Sequence, residues 1–414
     1  MSARERVAIT GIGAVTPVGI GKKAFWQGLL DGVSGVGPIT AFDASQQRVQ
    51  IAAEVTDFEP DRWLPFRDVR RFDRVGHLGI AAADLALEDR GGTDDLDLAS
   101  VATIVSTGLG GPQTLEQAMV AHLGGNSVSP LFIPMSMANF AVSAIARRYG
   151  FGGPSYSPQS ACASSADAIG QGYRMVRDGY ASVCLAGGAE ASVTSIVLAG
   201  FAAMRALSRR NDDPAGACRP FAADRDGFVL GEGAAVLVLE PLSVATARGA
   251  HVYAEICGYG QTNDTHHVTA PREDGLHAAE AMTRAMAEAG LGPDDVDYVN
   301  AHGTGTALSD PAETAAIKRA FGSDRPRVAV SSTKAMTGHM LGATGAVEAA
   351  ACALAIESGW IPPTINHHVP DPGCDLDVVP NVARAGQVRA ALSNSIAFGG
   401  HNVSLAFRRP DSRR

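Results

Sequence analysis

Along the chain, short apolar runs suited to strands alternate with longer segments whose apolar residues recur every three to four positions. The strand-like runs are 7–11, 99–106, 181–186, 234–239, 252–258, 296–300, 328–331, 390–394 and 402–407. Between them the periodicity predicts helices at 23–30, 77–89, 163–177, 276–289, 311–321 and 343–358. One helix carries its own punctuation: Asp310 as N-cap, Pro311 in the first turn, Glu313 as a capping-box residue and Gly322 beyond the end. Strands alternating with helices of this length imply layered α/β architecture. The pattern also repeats on a larger scale. Val7-Ala-Ile-Thr-Gly-Ile-Gly and Val252-Tyr-Ala-Glu-Ile-Cys-Gly-Tyr-Gly each read as a strand entering a glycine-rich turn. Val105-Ser-Thr-Gly-Leu-Gly-Gly and Val299-Asn-Ala-His-Gly-Thr-Gly each read as a strand ending in a Gly/Thr turn. Two similar halves, 1–250 and 251–414, are therefore expected, fused into one body without a linker or a low-complexity tract.

Composition narrows the function. With 46% hydrophobic and 19% charged residues among 414, there is material for a deep core, which excludes a disordered chain. The net charge of −9 and the lack of a face-sized basic run, the nearest (67–74) being broken by aspartates, argue against nucleic-acid binding. No run of 18 apolar residues occurs and the N-terminus leads straight into a strand, so neither a membrane span nor a signal peptide is expected. The six cysteines (162, 184, 218, 257, 352 and 374) are scattered without a CxxC pair, as in a reduced cytoplasmic protein.

Candidate chemistry gathers at turns between strands and helices. Cys162, in Tyr156-Ser-Pro-Gln-Ser-Ala-Cys-Ala-Ser-Ser-Ala-Asp, opens an amphipathic helix that ends at Gly179. There the helix dipole and free N–H groups favour thiolate over thiol, and small neighbours leave the sulfur accessible. An isolated cysteine is more often a small core residue; here its company is different. His302 follows a strand in Asn300-Ala-His-Gly-Thr-Gly-Thr, and His339 lies in Ser331-Ser-Thr-Lys-Ala-Met-Thr-Gly-His-Met-Leu-Gly-Ala, with Lys334 five residues upstream. In open α/β sheets such turns share one edge, where sites form. Zinc is the rival reading, but one cysteine and two distant histidines lack a fourth ligand and close-spaced pairs, so no metal is expected. In Asn394-Ser-Ile-Ala-Phe-Gly-Gly-His-Asn, Gly399 and Gly400 either let backbone N–H groups approach a ligand or form a plain hairpin turn.

Taken together with Ala161-Cys-Ala-Ser, Ala186-Gly-Gly-Ala-Glu, Arg219-Pro-Phe, Arg225-Asp-Gly-Phe-Val-Leu-Gly-Glu-Gly-Ala, Lys334-Ala-Met-Thr-Gly-His and Phe398-Gly-Gly, these motifs resemble the β-ketoacyl-acyl-carrier-protein synthase II group of ketosynthases, in the thiolase superfamily. The resemblance spans nearly the whole chain and includes the ketosynthase subunits of type II polyketide synthases. It implies a thiolase-like five-layered αβαβα fold. It also implies a nucleophile at Cys162, enolate-stabilising imidazoles at His302 and His339, and an ordering Lys334, paired with Glu313. An oxyanion hole from the N–H groups of Cys162 and Phe398 and a gate formed by the Phe398 ring follow in the same way. Thr304 and Thr306 would bind the phosphopantetheine arm, and Leu109 would bound the acyl pocket. Implied partners are an acyl carrier protein bearing malonyl and acyl thioesters, and a second ketosynthase chain or a chain-length factor; no cofactor is implied beyond the phosphopantetheine that the carrier brings. The N-terminal third looks more like the polyketide subunits, whereas Ala161-Cys-Ala-Ser and Phe398-Gly-Gly-His-Asn look more like the fatty-acid enzymes. Ser165 and Ala397 stand where glycines are more usual, and His401 where others carry threonine. A silent chain-length factor would lack Cys162, and a thiolase would carry a second cysteine in the C-terminal glycine loop, which this chain does not.

Overall fold

The computed structural model describes residues 4–324 and 326–410, so both extreme ends of the expected halves lie outside it. Ten strands form most of one large sheet: β1 (Val7–Thr16), β2 (Val101–Ser106), β3 (Ser155–Tyr156), β4 (Val183–Glu190), β5 (Gly233–Pro241), β6 (Ala254–Asn263), β7 (Tyr298–Asn300), β8 (Ala329–Ser331), β9 (Ala390–Ala397) and β10 (His401–Arg408). Their order is β8-β7-β9-β10-β6-β1-β5-β4-β2-β3, with a short eleventh strand, Gly19–Ile20, on β1. Both halves read identically outward from the centre. β1-β5-β4 and β6-β10-β9 are antiparallel, and then β2 and β7 each pair in parallel with both neighbours. The halves join where Val7–Ile9 of β1 pairs antiparallel with residues 254–256 of β6.

Three apolar cores separate five layers. Helices α1 (Arg74–Arg90) and α2 (Phe140–Tyr149) cover the outer face of the first half-sheet. Helices α4 (Leu276–Ala289) and α5 (Ser309–Ala320) cover that of the second. Between the half-sheets run α3 (Ser164–Arg177) and α6 (Thr344–Ser358). This is the αβαβα arrangement expected from the sequence. The segment Leu341–Ser358 is apolar enough in length and composition to cross a membrane, but 89% of it is buried, which makes it the central core helix.

The repeated GxG motifs are not turns. β1 runs unbroken through Gly11 and Gly13, and β6 through Gly258 and Gly260. A Cβ on Gly13 would stand 1.9 Å from the Ala82 carbonyl oxygen, and one on Gly260 1.9 Å from that of Ala281. In each half the glycines let a helix lie directly on the strand, which a side chain would prevent. The central helices repeat as well. Each follows a 3-10 turn, Ala161–Ala163 or Leu341–Ala343, whose first residue is left-handed (φ +51° and +42°).

Candidate active site

Cys162, His302 and His339 all follow parallel strands at their carboxyl ends, and all three line one cavity of about 290 Å³. Two come from the second half of the chain and one from the first. Thr304, Thr306 and Phe398 line it too, together with Phe201, Phe228 and Leu341. Cys162 is the only cysteine in its wall among the described residues. The left-handed Ala161 gives the turn at Cys162 its sharp, elbow-like form.

The backbone N–H groups of Phe398 and of Cys162 itself favour the charged form of the Cys162 sulfur. Even so, the resting group is not the thiolate expected from its helix. Burial pushes the thiol up to about 12, against the pull of the Lys334 charge and the two N–H groups. Desolvation here outweighs the dipole. The imidazoles are neutral for the same reason: burial, then the nearby Lys334 charge, holds both His302 and His339 well below their ordinary value. Their rings meet edge to face, 5.4 Å between centroids. His339 Nδ1 lies 3.1 Å from Thr344 Oγ1, at the start of α6, and its ring stands edge-on to Phe228 at 5.2 Å. Phe228 in turn meets Phe201 at 5.3 Å, and Phe201 meets Phe398 at 6.4 Å, completing an aromatic wall.

Lys334 is fully buried and pairs with Glu348 of α6, not with Glu313. Burial raises the Glu348 carboxyl, opposed by that ammonium. Glu313 does different work: its two oxygens accept the N–H groups of His302 at 2.8 Å and Gly303 at 2.7 Å. Asp310 likewise accepts from Thr304 and Gly305, both at 3.1 Å, and from Phe221 at 2.7 Å. Neither carboxylate caps its helix. α5 starts at Ser309, before both of them, and turns their side chains back onto the His302 loop. Burial pushes Asp310 up to about 6 and Glu313 up to about 7.

Three other expected positions fall elsewhere. Leu109 is 48% exposed and does not line the cavity. Gly399 and Gly400 lie in the tight connection between β9 and β10, with φ +80° and +76°, and neither lines the cavity. Gly399 N–H donates to the Val268 carbonyl at 2.7 Å and Gly400 O accepts from Asp264 N–H at 2.8 Å, so these groups hold the Phe398 turn in place. The connection is thus a hairpin turn that carries a residue of the cavity wall, Phe398. Ser165, in place of a glycine, accepts the Ala346 N–H at 2.9 Å and ties α3 to α6.

Residues 4–245 match the family model "Beta-ketoacyl synthase, N-terminal domain" and residues 253–368 its C-terminal domain. The chain is 47% identical over 409 residues to a 3-oxoacyl-[acyl-carrier-protein] synthase 2 from Synechocystis sp., covering 98% of each. It is 43% identical over 412 residues to its counterpart from Staphylococcus aureus, covering 99% of each. Among solved structures, the ishigamide ketosynthase/chain length factor superposes with a TM-score of 0.92 at 38% identity, over 98% of this chain and 100% of that one. A type II polyketide ketosynthase in complex with its acyl-carrier protein gives 0.90 at 31% identity, over 99% and 100%. The chain belongs to the beta-ketoacyl synthase family of acyltransferases.

Proposed function

We propose that this chain catalyses decarboxylative Claisen condensation on carrier-protein thioesters. The observation that carries the reading is one cavity whose wall holds the Cys162 sulfur together with a pair of neutral imidazoles. In the first half-reaction the Cys162 sulfur attacks an acyl thioester on the phosphopantetheine arm. The carbonyl oxygen becomes an oxyanion facing the N–H groups of Cys162 and Phe398, and the Cys162 proton leaves on the departing carrier thiol. Malonyl carrier protein then enters, its arm beside Thr304 and Thr306. As carbon dioxide leaves, the bond electrons pass to the thioester enolate, whose oxygen accepts from His302 and His339. Neutral imidazoles suit this role, because the carbanion arises without removing a C–H proton. The enolate carbon attacks the Cys162 thioester, and the product is a β-ketoacyl carrier protein two carbons longer. Lys334 places a fixed positive charge behind both imidazoles and the sulfur, which keeps the rings unprotonated and favours the thiolate that leaves. The reaction so drawn uses no metal or resident cofactor.

In setting, the chain reads as the catalytic subunit of a type II polyketide synthase, working with a chain-length factor. Its N-terminal motifs support this, as does the 0.92 match to a structure named as a ketosynthase/chain length factor. The 47% identity to a 3-oxoacyl-[acyl-carrier-protein] synthase 2 favours a second reading, a fatty-acid-elongating homodimer. In either, a partner chain would cover the exposed apolar Leu109, Met119, Val120, Leu123 and Ile133, and Leu109 would then bound the acyl pocket.

Intact-mass analysis and carbon dioxide release test the chemistry together. Cys162→Ala should abolish acylation and condensation, and Cys184→Ala should retain both. Cys162→Gln should still release carbon dioxide from malonyl carrier protein. Equal loss from both alanine variants would misplace the nucleophile, and no carbon dioxide from Cys162→Gln would remove the histidines from the enolate site. Gel filtration with activity separates the settings, since an active homodimer alone supports the fatty-acid reading and dependence on a partner chain the polyketide one.

A further inference from the structure

Beside the nucleophile lies a buried carboxylate that the condensation does not use. Asp167 is 2% exposed and sits in the first turn of α3. A carboxylate there complements the helix dipole, which requires no further partner. Asp167 has three. It accepts from Ser160 Oγ, from the Tyr259 hydroxyl at 2.6 Å, and from Gln261 Nε2 at 3.1 and 3.2 Å to its two oxygens. Tyr259 and Gln261 belong to β6, in the other half of the chain. Burial raises the Asp167 carboxyl, opposed by the Ser160 and Tyr259 hydroxyls and by the His401 imidazole at the foot of the Phe398 turn.

Ser160 is the informative partner, because it precedes Ala161. A non-glycine residue in the left-handed region is strained and persists only where its surroundings fix it. Here Ser160 N–H donates to Ser164 Oγ at 2.9 Å, and that hydroxyl donates to the Ala161 carbonyl at 2.7 Å. The Ser160 carbonyl accepts the Ala163 N–H at 3.0 Å. These contacts grip the turn from the helix side. The Ser160 side chain ties it, through Asp167, to the second half of the chain that supplies both histidines.

We propose that Asp167 is a positioning residue of the nucleophile turn: through Ser160 it holds Ala161 left-handed, so that the Cys162 sulfur meets the two N–H groups and faces the imidazoles. This inference rests on the condensation reading, and it predicts that Asp167 matters to one half-reaction and not the other. Acylation depends on where the sulfur points, and a misplacement of about 1 Å can cost up to roughly 10²-fold. Malonyl decarboxylation depends on His302 and His339, which Asp167 does not touch.

The test compares wild type with Asp167→Asn and Ser160→Ala, each also placed in a Cys162→Gln background. Rapid-quench mass analysis reads acylation of Cys162 by an acyl carrier protein, and carbon dioxide release reads decarboxylation in the two variants that also carry Cys162→Gln. Expected is an acylation rate lower by roughly tenfold or more in both variants, with carbon dioxide release within about twofold of Cys162→Gln alone. Ser160→Ala guards against a folding defect, since it cuts the link while Tyr259 and Gln261 keep their acceptor. Equal loss in both half-reactions, unchanged acylation, or loss in Asp167→Asn without loss in Ser160→Ala would each overturn the assignment. A wild-type protein that neither acylates nor decarboxylates would instead defeat the condensation reading itself.

Discussion

Glu313→Gln separates the carboxylate's charge from its shape. Glu313 is fully buried, and burial lifts its carboxyl from 4.5 to about 7. Below pH 4.5 it is protonated both folded and unfolded, so it adds no slope to stability. Between pH 4.5 and about 7 the folded chain keeps a proton that the unfolded chain has released. Stability therefore falls as pH rises across that window, by about 3 kcal/mol in all. Above it both states are ionised and the contribution is flat. Asp310, raised from 3.8 to about 6 for the same reason, adds a falling slope of its own to both proteins. The amide keeps one acceptor for the His302 and Gly303 N–H groups and never ionises. Its stability relative to wild type should consequently improve by about 3 kcal/mol from pH 4.5 to pH 8, whatever fixed cost the lost acceptor adds. Urea unfolding of both proteins at pH 4.5, 6 and 8 measures this. Curves that stay parallel within about 0.5 kcal/mol, near the extrapolation error, would refute the reasoning: Glu313 would then titrate as an ordinary carboxylate.

Two further outcomes follow from burial, and a third from its absence. Alkylation of Cys162 by iodoacetamide in the unacylated protein should still be accelerating above pH 9, because the thiol sits at about 12; a plateau reached below pH 8 would mean that the sulfur rests as thiolate. Gly13→Ala should destabilise by at least about 1–3 kcal/mol, since its Cβ would stand 1.9 Å from the Ala82 carbonyl oxygen. Gly200→Ala, in the helix Ser195–Ala203 with open space around it, should stabilise by about 0.5–1 kcal/mol. Similar thermal shifts for the two would contradict the close packing of α1 on β1.

The elements were legible where local signals agreed with tertiary packing. Helix 276–289 matches the sequence boundaries because its apolar periodicity ends at a left-handed glycine, Gly290. The GxG motifs misled, because glycine at a turn and glycine under a helix look alike until the helix that lies over it is known. Asp310 and Glu313 satisfied every local rule for capping, yet the loop they serve lies five to eleven residues upstream. Glu348 was missed because a glutamate in an alanine-rich helix reads as a solvent-facing position. The usable signal was its isolation: it is the only charged residue in α6 before Glu357, and Lys334 is equally alone in its own turn. The protonation state of Cys162 was not legible at all, since the helix dipole is local and the desolvation opposing it comes from the whole fold.

The two turns that begin with left-handed Ala161 and Leu341 give this molecule two seats of one shape. Sulfur occupies the first. In the second, Gly342 follows Leu341 as Cys162 follows Ala161, and its N–H goes to the buried Glu190 at 3.0 Å. Had the halves been separate, identical subunits, each seat would have had to carry the same residue. Joining them in one polypeptide lets one seat hold a cysteine while the other serves as a plain strut.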